Sequence, residues 1–221
     1  MTTPEQPVPG QPVPEQPVPG SGDAAVRAAA ERANTTRERN LPQWPDLPIP
    51  GDTANLREGA DLHDALLPLL PLIGVWRGEG EVVYPTIEDH HFGQQVVFAH
   101  DGRPFVYYES RAWLLDADGK VIRPAAREMG WWRPQPDGTI EFLLTHATGV
   151  IEIFYGESRT QTSWELATDV TMRTASAKEV NGAKRLYGLV NNGDLAYVEE
   201  RAMVGRPLQP HTSAYLRRVA G

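Results

Sequence analysis

Near its C-terminus the chain reads RPLQPHTSAYLRRV, and His211, directly behind Pro210, is the residue whose chemistry does not belong to an ordinary closing β-strand. A neutral imidazole is a ready metal ligand, and a strand is a stiff mount from which it can reach across a cavity mouth. The locked φ of Pro210 fixes the approach of the chain. The five other histidines lack such a setting: His63 precedes the first apolar alternation, His100 belongs to the turn HDGRP, and His146 ends a strand-like run before ATG. His90 and His91 are adjacent in IEDHHF. Neighbouring strand residues point to opposite faces, so these two cannot easily share one ion and read as rim residues on a loop. Cysteine is absent, which removes disulfides, thiolate metal sites and cysteine nucleophiles, and no HExxH, GxSxG or phosphate-loop pattern occurs. Any metal chemistry must use imidazole or carboxylate.

The 221 residues suffice for one domain with a closed core plus a tail, and 40% apolar with 23% charged residues is the composition of a globular protein. A formal net charge of -8 without a basic patch argues against nucleic acid as a partner. No apolar run approaches a bilayer span and no basic segment leads into an apolar one at the N-terminus, so a cytoplasmic protein without a membrane partner is expected. Residues 1–22 repeat PEQPVPG and QPVP without apolar periodicity and are predicted to be a disordered, proline-rich tail. Residues 23–61 read as a short helix through AAVRAAAERA, capped by Asp23, and a linker LPQWPDLPIPGD in which Trp44 has the bulk to pack on the domain.

From residue 62 to 221 the pattern is that of an all-β domain. HDALLPLLPLIG predicts one or two helical turns, and period-two alternation then predicts strands near 75–84, 93–99, 105–115, 121–133, 139–146, 149–159, 162–171, 183–191, 194–203 and 211–219. HDGRP, DADGK, QPDGT, VNGAK and NNGD place Asp-Gly or Asn-Gly between these runs, the chemistry of tight hairpins. Successive hairpins give an antiparallel meander, and about ten strands without covering helices protect their edges by closing into an up-and-down barrel. Such a barrel is wider than side chains need fill, so an interior cavity for one ligand is expected. In the first strand GVWRGEG places Gly74, Gly78 and Gly80 around Trp76. Strand glycines mark places where another backbone comes close, and a tryptophan among them suits a plug at a closed end. Trp131 and Trp132 must face opposite sides of their strand.

GxWxGxG on a first strand, YPT at Tyr84 to Thr86 and Pro-His on a last strand together resemble the nitrobindin family of heme-binding β-barrels, over about residues 62–219. The resemblance also runs through FAHDGRPFVYYESRAW, REMGWWRP, ATGVIEI and MVGRPLQPHTSAYLRR. It implies a ten-stranded antiparallel barrel holding ferric heme b near its open end, with His211 matching the axial ligand of the iron. Thr86 matches a threonine close to the heme, the alternative being a residue that merely ends a strand in a turn. Lys184 falls where a basic residue can balance a heme propionate, the alternative being a solvated hairpin lysine. The implied activity is isomerisation of peroxynitrite to nitrate, with nitric oxide binding at the same open position and the cofactor carrying the bond chemistry. A homodimer stays open. Two rivals also remain open: a carrier of a fatty acid or other apolar ligand, and an interaction protein whose proline-rich tail recruits a partner.

Overall fold

The computed structural model describes residues 51–190 and 192–221, together with Ala30, Glu31, Asn34 and Thr35, all four of them helical. The proline-rich tail, Asp23 and Trp44 lie outside the described residues.

Chain order after residue 51 begins with a 3₁₀ helix, Asp64–Leu72. Pro68 and Pro71 lie inside it and supply no amide donor, which suits short, tight winding rather than a continuous α-helix. His63 caps it, Nδ1 accepting from the Ala65 amide at 3.1 Å. Ten strands follow: β1 (Gly74–Val82), β2 (His90–Ala99), β3 (Val106–Leu115), β4 (Val121–Pro134), β5 (Thr139–His146), β6 (Val150–Thr160), β7 (Ser163–Arg173), β8 (Val180–Leu189), β9 (Leu195–Met203) and β10 (Gln209–Ala220). Each pairs antiparallel with its sequence neighbour, and β1 pairs with β10, so the sheet closes into a ten-stranded up-and-down barrel.

Two expectations need correcting. VNGAK is not a turn: Asn181 and Gly182 lie inside β8, where the register to β9 shifts between Val180 and Gly182. Glycine there accommodates a bulge instead of a reversal, and the chain turns earlier, where the Ala177 amide donates to the Thr174 carbonyl at 3.2 Å. His90 and His91 open β2 rather than riding on a loop, because β1 and β2 pair to their ends through Val82↔His90 and Glu81↔His91.

The glycines of β1 are required by closure. A Cβ on Gly78 would lie 2.1 Å from the Tyr215 carbonyl oxygen, and one on Gly80 would lie 2.2 Å from that of Ser213, both on β10. Trp76 is fully buried between them and the 3₁₀ helix, its Nε1 donating to the Leu72 carbonyl at 2.8 Å. The Arg218 guanidinium lies over the same ring, 4.2 Å from its centroid. Trp164 Nε1 ties β7 to the same helix through the Pro68 carbonyl at 3.0 Å, so the helix closes the end of the barrel at which β1 begins.

Toward the end closed by the 3₁₀ helix the interior is packed with aromatic rings. Aromatic rings contact one another across it: Phe98 and Trp132 at 5.7 Å between centroids, Trp132 and Phe142 at 5.0 Å, Phe142 and Phe154 at 5.5 Å, Trp132 and Tyr187 at 5.3 Å. Side chains of this size fill a girth that Val and Leu alone would leave hollow. Trp131 and Trp132 take opposite faces as expected, Trp131 being the outward one and meeting Tyr107 edge-on at 6.5 Å. Replacing Trp132 with Ala should therefore destabilise the fold by about 3–5 kcal/mol. Trp131→Ala should cost less than about 1 kcal/mol. Urea denaturation of both variants measures the difference, and similar losses would contradict the assignment of faces.

Candidate functional site

At the end opposite the 3₁₀ helix the inward face changes from apolar to charged. Alternation along β9 buries Leu195, Tyr197, Glu199, Arg201 and Met203 in turn, so two charged residues occupy inward positions of an otherwise apolar stripe. Arg185 on β8 and Glu152 on β6 are placed in the same way. With Glu128 of β4 and His146 of β5 they form a closed ring. Glu199 takes Arg201 Nε at 2.6 Å, and Arg201 Nη2 reaches Glu152 at 3.0 Å. Glu152 pairs with His146 Nε2 at 2.7 Å, and His146 Nδ1 lies 3.5 Å from Glu128. Arg185 closes the circuit, Nη2 to Glu128 at 2.7 Å and Nε to Glu199 at 2.7 Å, the latter an ion pair and not an aligned hydrogen bond. Tyr108 donates to Glu128 at 3.0 Å, joining the ring to the aromatic core.

The charges in this ring determine each other's ionisation. Burial alone would push the Glu128 carboxyl upward, but Arg185 and His146 outweigh it and bring it from 4.5 down to about 2. Glu199 is likewise opposed by burial and is nonetheless held well below the carboxylate range by Arg185, Arg201 and His211. Both guanidinium groups are raised in turn against their own desolvation, chiefly by Glu128 and Glu199 for Arg185 and by Glu199 and Glu152 for Arg201. A buried ion pair is costly to desolvate, and it is the loss of one partner that is ruinous.

His211 stands at the rim of this ring. The register between β10 and β9 shifts between Pro210 and Thr212, and His211 lies at that irregularity, its carbonyl accepting from the Val83 amide at 2.8 Å. Its side chain is 19% exposed, enough for a ligand to reach it. Nδ1 is buried, makes no completed hydrogen bond and lies 3.5 Å from Glu199 Oε1. The Tyr84 ring meets the imidazole edge-on at 5.6 Å, and the Tyr84 hydroxyl is itself fixed by the Met203 amide at 3.0 Å.

Beside the imidazole is a cavity of about 450 Å³, bordered by Val83, Leu186, Val198, Pro210 and Lys184 as well as His211. Lys184 thus shares a cavity with His211, although alternation on β8 turns it to the face opposite Arg185, where it is ion-paired with Glu165. Thr86 lies exposed in the turn after Tyr84, and the Ile87 amide donates to the Tyr84 carbonyl across that turn at 3.0 Å. His91 is exposed and 3.8 Å from Glu81, while His90 is half-buried at the head of β2. His100 is buried at a bridge to Thr53, just past the end of β2 opposite His90 and His91. No group of three or more His, Asp or Glu is placed to hold a metal ion among the described residues.

Sequence reasoning singled out His211 as a candidate and did not anticipate the ring beside it. Its members come from five strands, and the available signal was charged residues at inward register positions, as in the alternation of β9.

Residues 65–218 match the family described as THAP4-like, heme-binding β-barrel domain. A ferric nitrobindin-like protein of Saccharopolyspora erythraea is 61% identical over 204 residues, covering 91% of this chain and 96% of that protein. Peroxynitrite isomerase 2 of Rhodococcus jostii is 54% identical over 210 residues, covering 91% of this chain and 99% of that protein. Among solved structures, the crystal structure of Rv2717c from M. tuberculosis superposes with a TM-score of 0.64 at 37% identity, over 72% of this chain and 99% of that one. No helix among the described residues is long and apolar enough to cross a membrane.

The ring makes the fold acid-sensitive in a defined window. A carboxyl whose folded-state pKa lies below its unfolded value contributes stability above the unfolded value and loses it as pH falls through the folded one. For Glu128 stability should be complete above about pH 4.5 and fall progressively toward about pH 2. Glu128→Gln should lose about 3–5 kcal/mol at pH 7, through the Arg185 it leaves short of a partner, and should show a shallower decline in that window. Urea midpoints measured across the pH series test both, and parallel curves for the two proteins would contradict them.

Proposed function

The chain belongs to the family of THAP4-like, heme-binding β-barrel domains, and on that footing we propose that it is a ferric heme-b protein that isomerises peroxynitrite to nitrate. The observation that carries this reading is His211: an imidazole at the rim of the barrel, with Nδ1 against the Glu199 carboxylate, no described group hydrogen-bonded to Nε2, and alongside it a cavity bordered by apolar side chains and carboxylates. That is the setting of a nitrogen donor to heme iron, with a carboxylate behind the ligand. Relatives at 54% and 55% identity carry the name peroxynitrite isomerase, which supports the same activity.

His211 would hold the iron. Lys184, at the edge of the same cavity, can exchange Glu165 for a heme propionate. The exposed Thr86 hydroxyl, in the turn beside Tyr84, is available to a second propionate or to the pocket wall. Val83, Leu186 and Val198 give the cavity apolar surface on which a porphyrin face could rest, with Glu81, Glu165 and Glu200 at its border. Bound heme supplies a ferric Lewis acid able to activate the peroxo bond of the substrate. The protein contributes attachment, orientation and confinement, and its buried carboxylates are engaged by arginines and His146, leaving no evident general base. Nitric oxide would bind at the same open position. An apolar-ligand carrier is the weaker reading, because aromatic side chains fill the interior that a fatty acid would need.

Hemin should bind in about one-to-one ratio with a Soret band of a histidine-ligated ferric species, and His211→Ala should abolish or greatly weaken binding without loss of β-structure. Lys184→Ala should weaken hemin several-fold. In stopped-flow decay of peroxynitrite with nitrate and nitrite quantified, the holoprotein should be faster and richer in nitrate than the apoprotein or the His211→Ala protein. Equal rates in all three would overturn the isomerase reading, and nitric oxide difference spectra of the same samples test the second ligand.

A further inference from the structure

Glu199 approaches His211 from inside the barrel, and its surroundings leave it little freedom. The residue is 4% exposed. Oε1 accepts from Arg201 Nε at 2.6 Å and lies 3.5 Å from His211 Nδ1, while Oε2 lies 2.7 Å from Arg185 Nε. Both guanidinium groups are anchored in their turn, Arg185 by Glu128 and Arg201 by Glu152. The carboxylate is thus clamped from both sides with one oxygen edge turned toward the imidazole.

A neutral imidazole donates from one ring nitrogen and offers a lone pair on the other, and the partner decides which. An ionised carboxylate can only accept. A fixed carboxylate beside Nδ1 therefore selects the tautomer with its proton on Nδ1 and leaves the lone pair on Nε2. The backbone does not settle this alone, because His211 lies at a register shift, where alternation no longer dictates the direction of a side chain. The ring is held from one side by the Tyr84 edge and from the other by Glu199.

We propose that Glu199 is a positioning residue for the heme ligand: clamped by Arg185 and Arg201, its carboxylate accepts the Nδ1 proton of His211, orients the imidazole and increases electron donation from Nε2 to bound iron. The proposal rests on the reading of His211 as the axial ligand. The charge ring thereby acquires a task beyond cohesion, since Glu128, Arg185, Arg201 and Glu152 hold the carboxylate that holds the ligand.

The full chain reconstituted with hemin provides the test. Glu199→Gln removes the charge and Glu199→Asp keeps it but withdraws it by one methylene. Each should lower hemin affinity about 10- to 100-fold. In Glu199→Gln the iron–histidine stretch of the ferrous form should fall and the reduction midpoint should move positive, changes that a purely structural role would not produce. Because Glu199→Gln leaves two buried arginines short of a carboxylate and can fail to fold, a second arm keeps Glu199 intact. His211→Gly is mixed with hemin and its uptake is followed while titrating imidazole or 1-methylimidazole, whose methylated nitrogen cannot donate a hydrogen bond, to replace the missing ligand. Relative to the same two ligands on heme in detergent micelles, imidazole should be favoured by at least about tenfold. No such preference, with hemin binding in the parent chain still lost in His211→Ala, would overturn the role of Glu199 alone. Unchanged hemin binding by His211→Ala would overturn it together with the ligand assignment.

Discussion

Closure of the sheet is the constraint on which everything else depends. β1 and β10 pair across most of the length of the domain, and the pairing requires Gly78 and Gly80, where any side chain would collide with the β10 backbone. Closure sets His211 beside Val83 and Glu199, residues that no local segment could bring together. It also leaves no open edge between the first and last strands, a liability in any sheet of this length.

Inside the closed sheet two layers divide the work. Near the 3₁₀ helix, Trp76, Trp132, Trp164 and Phe142 fill the girth with apolar bulk, and their indole N–H groups at Trp76 and Trp164 are bonded to the helix that seals the end. Toward the mouth, three carboxylates, two guanidinium groups and one imidazole replace that bulk. The first layer supplies most of the driving force through burial of apolar area. The second adds little net stability for its desolvation cost, yet it demands one arrangement, because each member depends on its neighbours in the ring for compensation of its charge. Glu128 and Glu199 kept ionised in a buried setting are the outward sign of that mutual dependence.

This division explains why a protein with a packed core can still offer a ligand site. The cavity lies at the rim beside His211 and is bordered by Val83, Leu186 and Val198 together with Glu81, Glu165, Glu199 and Glu200. The aromatic interior and the charge ring then act as a rigid backing for the imidazole, with Tyr84 fixing one side of the ring through its hydroxyl bond to Met203.

The sequence by itself determined the strands, the closure and the candidate ligand. Alternation and Asp-Gly turns are local signals, and GVWRGEG and PHTSAYLRR carry the contacts that close the barrel, so ten strands were legible from the chain alone, with His211 as a candidate at the mouth. It also determined that Trp131 and Trp132 take opposite faces, since period two allows nothing else. Local signals failed where a glycine had two uses: Asn181-Gly182 has the chemistry of a turn but serves a bulge inside β8. Only the tertiary structure decided what fills the barrel and what stands behind His211. Glu128, His146, Glu152, Arg185, Glu199 and Arg201 are spread over more than seventy residues and five strands, and in the chain each resembles an ordinary solvated charge. Their pairing follows from strand register around a closed circle, a property of the whole sheet that no window of sequence contains.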